Sequence, residues 1–213
     1  MTPEVTEGPY FVMNELVRQN VHENQWGVPL PLDIGVIDIT SCKPLPNAFV
    51  EIWHANATGF YSSFTVDSGS GGGNSASTAM SDELSFVRGG WPANKNGMRC
   101  IPYILASTWV ELSIFTTIES TEGNLHIGQV FFDESFNDKV LAPIPYVIPL
   151  SLTPPMYNAD DSILAEENTG RYNTFADAYQ LGKNLQDRVI AYITIGIDST
   201  TRYSFSTANY WMP

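Results

Sequence analysis

Leu32-Asp33-Ile34-Gly35-Val36-Ile37-Asp38-Ile39 and Ala48-Phe49-Val50-Glu51-Ile52-Trp53 decide the fold. Both runs are rich in β-branched and aromatic residues. Ser41-Cys42-Lys43-Pro44-Leu45-Pro46-Asn47 between them is turn material, so the signal is strand, turn, strand. Working outward, strands are expected again at 108–118, 126–132 and 189–197. Within the first of these, Trp109, Glu111 and Ser113 alternate with Val110, Leu112 and Ile114, the pattern of a half-buried strand. Residues 66–80 form a Gly/Ser-rich loop, Pro92–Gly97 a turn, and the Pro-rich 143–155 an extended loop. A short helix is expected between Asp160 and Asn168, capped by Asp160 or Asp161. No internal repeat occurs. Many short strands with few short helices predict an all-β, single-domain β-sandwich over 1–213, with 1–31 as an N-terminal arm.

Composition narrows the function classes. A chain of 213 residues is long enough to bury a real core, and 43% hydrophobic with 12% aromatic residues excludes a disordered polymer. A net charge of −13 argues against nucleic acid as a partner. No apolar run approaches the roughly 20 residues that a membrane span needs. No signal peptide precedes the start, and Met1 reads as a cut point. The single sequon, Asn56-Ala57-Thr58, is compatible with secretion. Cys42 and Cys100 are the two cysteines; a free turn cysteine and a Cys42–Cys100 bridge are both open.

The block Val50-Glu51-Ile52-Trp53-His54-Ala55-Asn56-Ala57-Thr58-Gly59-Phe60-Tyr61, with Leu32–Asp38 ahead of it, resembles the intradiol ring-cleavage dioxygenases. These are the protocatechuate and catechol dioxygenase family. Thr2-Pro3-Glu4-Val5-Thr6-Glu7-Gly8-Pro9-Tyr10, Leu125-His126-Ile127-Gly128-Gln129-Val130-Phe131-Phe132-Asp133 and Asp161–Glu167 extend the likeness over most of the chain, in the flavour of the secreted fungal branch. The resemblance implies a β-sandwich, an extracellular location, and a non-haem Fe(III) with Tyr61 as a permanent phenolate ligand. It implies that Thr6, Pro9 and Tyr10 wall the substrate pocket, with Gly8 allowing close approach. The implied reaction inserts both atoms of O2 between the hydroxyl-bearing carbons of a catechol-type aromatic diol. In that branch a Cys stands shortly before the Thr-Pro-Glu start, and this chain lacks it, so Cys42 is left without that partner.

The likeness breaks where the remaining ligands belong. Fe(III) is a hard acid that takes anionic oxygen and imidazole. The family supplies a second Tyr in Thr-Ile-x-Pro-Gly-x-Tyr, then an Arg, then His-x-His, whose two rings share one face of a strand. Here the region reads Gly97-Met98-Arg99-Cys100-Ile101-Pro102-Tyr103-Ile104-Leu105-Ala106-Ser107-Thr108-Trp109-Val110-Glu111-Leu112-Ser113-Ile114-Phe115-Thr116, without a His. The codon junctions carry the motif in another frame. Trp109-Val110 must give Gly, and Phe115-Thr116 can give only Tyr or His. Ser113-Ile114 permits His, Ser107-Thr108 permits Tyr, and Val110-Glu111 permits Arg. From Ile101-Pro102 onward the shifted frame can read Thr-Ile-Tyr-Pro-Gly-Phe-Tyr-Val-Gly-Arg-Thr-Ile-His-Ile-His. Chance agreement is about one in a hundred thousand, far below the false-positive risk of an ordinary motif. Residues of about 98–118 therefore read as a frameshifted tract, and the chain as written as metal-free and inactive.

The rival reading is a paralogue that has drifted to a catalytically dead sandwich, with Glu111 and Ser113 where the two His belong, acting as a binding module. Among other candidates, His54 reads as a packing or capping residue and His22 as a surface one. His126 reads as a hydrogen-bonded structural His before it reads as a substitute ligand. Asp160, Asp161, Glu166 and Glu167 read as a solvated helix end rather than an acid/base pair.

Overall fold

A computed structural model of the protein describes residues 4–68, 79–105, 113–120, 123–142, 156–169 and 172–211. Among the described residues nine strands form two sheets: β1 (Val28–Asp38), β2 (Lys43–Pro44), β3 (Phe49–Trp53), β4 (Arg88–Pro92), β5 (Met98–Leu105), β6 (Ser113–Ser120), β7 (Gly123–Phe131), β8 (Asp177–Gln180) and β9 (Val189–Ile197). The first sheet runs β2-β1-β9-β8, with β5 also on β1; the second runs β4-β3-β6-β7. All pairs are antiparallel except β1 with β9, whose register runs from Leu32↔Ala191 to Asp38↔Ile197. Since β9 covers one edge of β1, the other edge is shared by β5 and then β2.

Alternation decides which faces meet. Val28, Leu30, Leu32, Ile34 and Val36 of β1 and Val189, Ala191, Ile193, Ile195 and Ile197 of β9 point into one core. Val50 and Ile52 of β3, Ile114 and Ile118 of β6, and Leu125 and Val130 of β7 meet them from the second sheet. The expected all-β sandwich is what the chain forms. Burying such side chains contributes roughly 1.5–3 kcal/mol each.

Boundaries shift in detail. The strand expected at 108–118 is β6, described from Ser113 to Ser120; residues 106–112, with Trp109 and Glu111, lie outside the described residues. The strand expected at 126–132 begins earlier, at Gly123, and that at 189–197 agrees at both ends. The N-terminal arm ends at Val28, not at residue 31, because the β5 pairing already starts there. The helix near Asp160 is α3 (Ser162–Glu167); the Asp161 side chain caps it by accepting from the Ile163 and Leu164 amides. Two further helices, α1 (Thr65–Ser68) and α2 (Glu134–Leu141), are short. The loop expected at 143–155, and most of the Gly/Ser-rich loop, also lie outside the described residues. Cys42 is free and exposed, so the Cys42–Cys100 bridge is not formed. No helix among the described residues is long and apolar enough to cross a membrane.

Candidate functional site

The second sheet has an outer face, turned away from the sandwich core, and the site is built there. Register places Arg88, Trp53, Phe115 and Gln129 in one row across β4, β3, β6 and β7. The arm crosses this face. Val17 bridges Gly90, and Gly90 donates to the Leu16 carbonyl while Arg18 donates to that of Gly90, so residues 16–18 extend the sheet beyond β4. Phe11 packs on Trp53 with ring centroids 5.0 Å apart, and Phe205 packs on Phe11 at 4.3 Å. Met13 pairs with Tyr210, and the Trp211 amide donates to the Met13 carbonyl, so both chain termini cover the same face.

Tyr61 lies in this aromatic cluster and stacks on Tyr10, centroids 4.5 Å apart at 27°. Tyr10 also packs on Phe64 at 5.1 Å. Of the residues expected to wall a pocket, Tyr10 thus meets Tyr61 directly. Thr6 is exposed and accepts a hydrogen bond from the Gly8 amide, with Gly8 at φ 73, so these two shape a local turn of the arm beside half-buried Pro9. Tyr61 as a whole is half-buried, yet the packing around its ring is dense. Desolvation first, and then Tyr10, hold its phenol well above the ordinary tyrosine range, against the opposing pull of Arg88.

The three His fall elsewhere. His126 stands opposite Ile118 on the core side of β7 and is buried; its Nδ1 pairs with Glu4 Oε1 at 2.8 Å, so it has the structural role. His54 is buried at the end of β3, its Nδ1 2.7 Å from the Ala55 carbonyl oxygen. His22 is half-buried rather than on the open surface. The carboxylate group also differs from the reading of a solvated helix end. Asp160 and Glu166 are exposed, but Asp161 and Glu167 are buried against β7. Glu167 Oε1 accepts the Gln129 amide at 2.7 Å, and Glu4 Oε2 accepts the Ile127 amide at 2.6 Å. Both carboxylates therefore satisfy amides on the free edge of β7, a need that sequence spacing does not reveal.

Fe(III) does not fit the donors described. Among the described residues no three His, Cys, Asp or Glu side chains converge. Tyr61 offers one phenol, whereas ferric iron needs several hard ligands.

Sequence reasoning passed over Arg88, Glu15 and Ser62, which lie beside this cluster in a buried polar network. The only local signal was the Arg88-Gly89-Gly90 step, since Glu15 is 73 residues away in sequence.

The sequence matches the family described as Dioxygenase over residues 6–148. The fold agrees with that of an intradiol ring-cleavage dioxygenase from Tetranychus urticae, 26% identical, with a TM-score of 0.83 over 95% of this chain and 97% of that one. The chain belongs to the intradiol ring-cleavage dioxygenase family. Catechol 1,2-dioxygenase of Acinetobacter baylyi is 43% identical over 68 residues, a stretch covering 30% of this chain and 22% of that protein. The dioxygenase domain of a carbohydrate-binding fusion from Streptomyces sp. SirexAA-E shares the fold at 17% identity and a TM-score of 0.59, over 92% of this chain and 97% of that one.

Proposed function

We propose that the activity encoded by this gene is O2-dependent, intradiol cleavage of a catechol-type aromatic diol, and that the polypeptide with the present sequence does not hold Fe(III). The observation that carries the reading is an intact Tyr10–Tyr61 stack together with a tract, 97–116, that contains no His. The shifted-frame His codons fall at the 113/114 and 115/116 junctions, two positions apart on β6. Placed at 113 and 115, they share the outer face, with 115 in the row of Trp53 and Gln129 and 113 opposite Phe131. Placed one residue later, they replace Ile114 and Thr116 among core residues such as Ile118, an environment that disfavours two imidazoles. The outer register is the one that serves a metal site with Tyr61.

Secretion belongs to the same proposal and rests on the likeness to the secreted fungal branch. The side chain of Asn56 in the sequon is occupied in the fold, donating to Gln25 Oε1 at 2.9 Å.

A second reading has its own support. Half-buried Tyr61 and Phe205, at the margin of a cluster whose other rings, Tyr10, Phe11 and Trp53, are buried, suit stacking of a planar ring without any metal. Two measurements on the purified chain separate the readings: iron content with the visible phenolate-to-iron colour, and quenching of intrinsic fluorescence by catechol. Bound iron with that colour refutes the metal-free claim. Saturable quenching without iron favours the binding module. Genomic sequence across codons 95–125 then tests the frameshift, and a read without the shifted motif removes it.

A further inference from the structure

Arg88 is 1% exposed, and its guanidinium is committed in every direction. Nε donates to Ser62 Oγ at 2.9 Å, and Nη2 donates to the carbonyls of Ser62 at 2.9 Å and Tyr10 at 3.1 Å. Nη1 pairs with Glu15 Oε1 at 2.7 Å, and the guanidinium lies 5.7 Å over the Phe64 ring. One planar group therefore grips the main chain of Tyr10 and that of the residue after Tyr61. A planar fork is suited to this; an ammonium point charge is not.

The backbone around this contact is strained on both sides. Val87, just before Arg88, has φ 51, and Ser63, just after Ser62, has φ 68. A β-branched residue in the left-handed region is strained and persists only where the surroundings fix it. Gly89 follows at φ 141, where a Cβ would meet the Leu16 carbonyl at 3.0 Å. The strain delivers Arg88 and Ser62 to each other under the arm.

We propose that Arg88 is a positioning residue of the candidate site: anchored by Glu15, it fixes the main chain at Tyr10 and Ser62 and so sets the stack of Tyr10 on Tyr61. The proposal rests on the reading of Tyr10 and Tyr61 as site residues, but its test does not need iron. A plain folding role would require the buried charge to be paired and nothing about the tyrosine stack.

The test is near-ultraviolet circular dichroism of the purified full chain, with far-ultraviolet spectra confirming the fold. Tyr10→Phe defines the part of the tyrosine band that belongs to the stack. Arg88→Lys keeps the charge beside Glu15 but cannot serve all three oxygen acceptors, and it should lose more than half of that part. Arg18→Gln is the control. Arg18 ties the same arm to the sheet by donating to the Arg88 carbonyl at 3.0 Å and 2.7 Å and pairing with Glu23 at 2.7 Å. It should leave the stack band within a tenth of the parent value. An unchanged band in Arg88→Lys, or an equal loss in Arg18→Gln, overturns the proposal. Should Arg88→Lys fail to fold, Ser62→Ala removes the Nε acceptor, together with the hydroxyl's bond to the Phe86 carbonyl, and should lower the same band by a smaller amount; no change there also overturns it. Failure of a frame-restored protein to cleave catechols would sink the functional reading and leave this result standing.

Discussion

On one wall of the candidate site, the arm, the Tyr61 loop and β4 are locked together by a buried ion pair, three further guanidinium hydrogen bonds and a stack of aromatic rings. On the other, β6 delivers Ile114 and Ile118 to the core as soundly as β3 delivers Val50 and Ile52, yet its sequence carries no His. The difference shows that a strand can keep its structural half and lose its chemical half. Packing asks for apolar residues at alternate positions, which many reading frames satisfy. Ligation asks for particular atoms.

The largest effect should come from making the walls equal. Replacing Ile101–Thr116 by the shifted reading, with any codons lost before Leu125 restored, should turn an iron-free protein into one with stoichiometric iron. That protein should consume O2 with a catechol and form a ring-opened diacid, assayed by metal analysis and oxygen electrode. Tyr61→Phe in the repaired protein should abolish the iron or the activity, because a phenolate must balance the ferric charge. Full activity without Tyr61 would show that the ligand was placed on the wrong wall.

Within the intact wall, Glu15→Ala strands the Arg88 charge in a site where both partners are almost fully buried. A loss of about 3–5 kcal/mol is expected in urea unfolding. A loss below about 1 kcal/mol would mean that water reaches the pair. The structural equality of the two walls has its own check: Ile52→Ala and Ile118→Ala, both fully buried, should each cost about 3 kcal/mol. A much smaller cost for Ile118 would show that β6 is packed less well than β3.

The smallest effect concerns the edge of β7. Burial, foremost, pushes the Glu167 carboxyl up to about 8, the Gln129 amide opposes this, and Asp161, Glu4 and Glu166 add to it. The folded protein then keeps a proton that the unfolded chain has released. Stability should therefore fall as pH rises from about 4.5 to about 8 and level off above. Glu167→Gln retains an acceptor for the amide and should flatten that fall by on the order of 1–3 kcal/mol, read from urea midpoints against pH. An unchanged slope would assign the titration to another group.

Much of the fold was legible because alternation is local. Leu32–Asp38, Val50–Trp53 and Val189–Ile197 each announce a strand without reference to anything else. Asp161 was legible as a cap for the same reason. Arg88 was not, because its partners Tyr10, Glu15 and Ser62 are brought to it by the path of the arm. Glu167 was misjudged because spacing reveals a helical face but not the strand edge that covers it. Tyr61 was legible only through family resemblance. Its stack on Tyr10 could not be foreseen from either residue alone.

The parallel pairing of β1 with β9 also bears on how this polypeptide is made. At a synthesis rate of about 5–20 residues per second, β1 waits on the order of ten seconds or more for its partner edge to leave the ribosome. Until then β1 lacks the strand that covers one of its edges, and chaperones have time to meet it. On the proposed frameshift, the original frame is resumed by Leu125, because Leu125–Asp133 and Val189–Ile197 carry the family's pattern in it. A nucleotide slip that is never compensated would take away β7 and β9 together, and the nascent chain would be a substrate for proteolysis. A slip confined to the tract ahead of β7 removes the chemistry and spares the translation product.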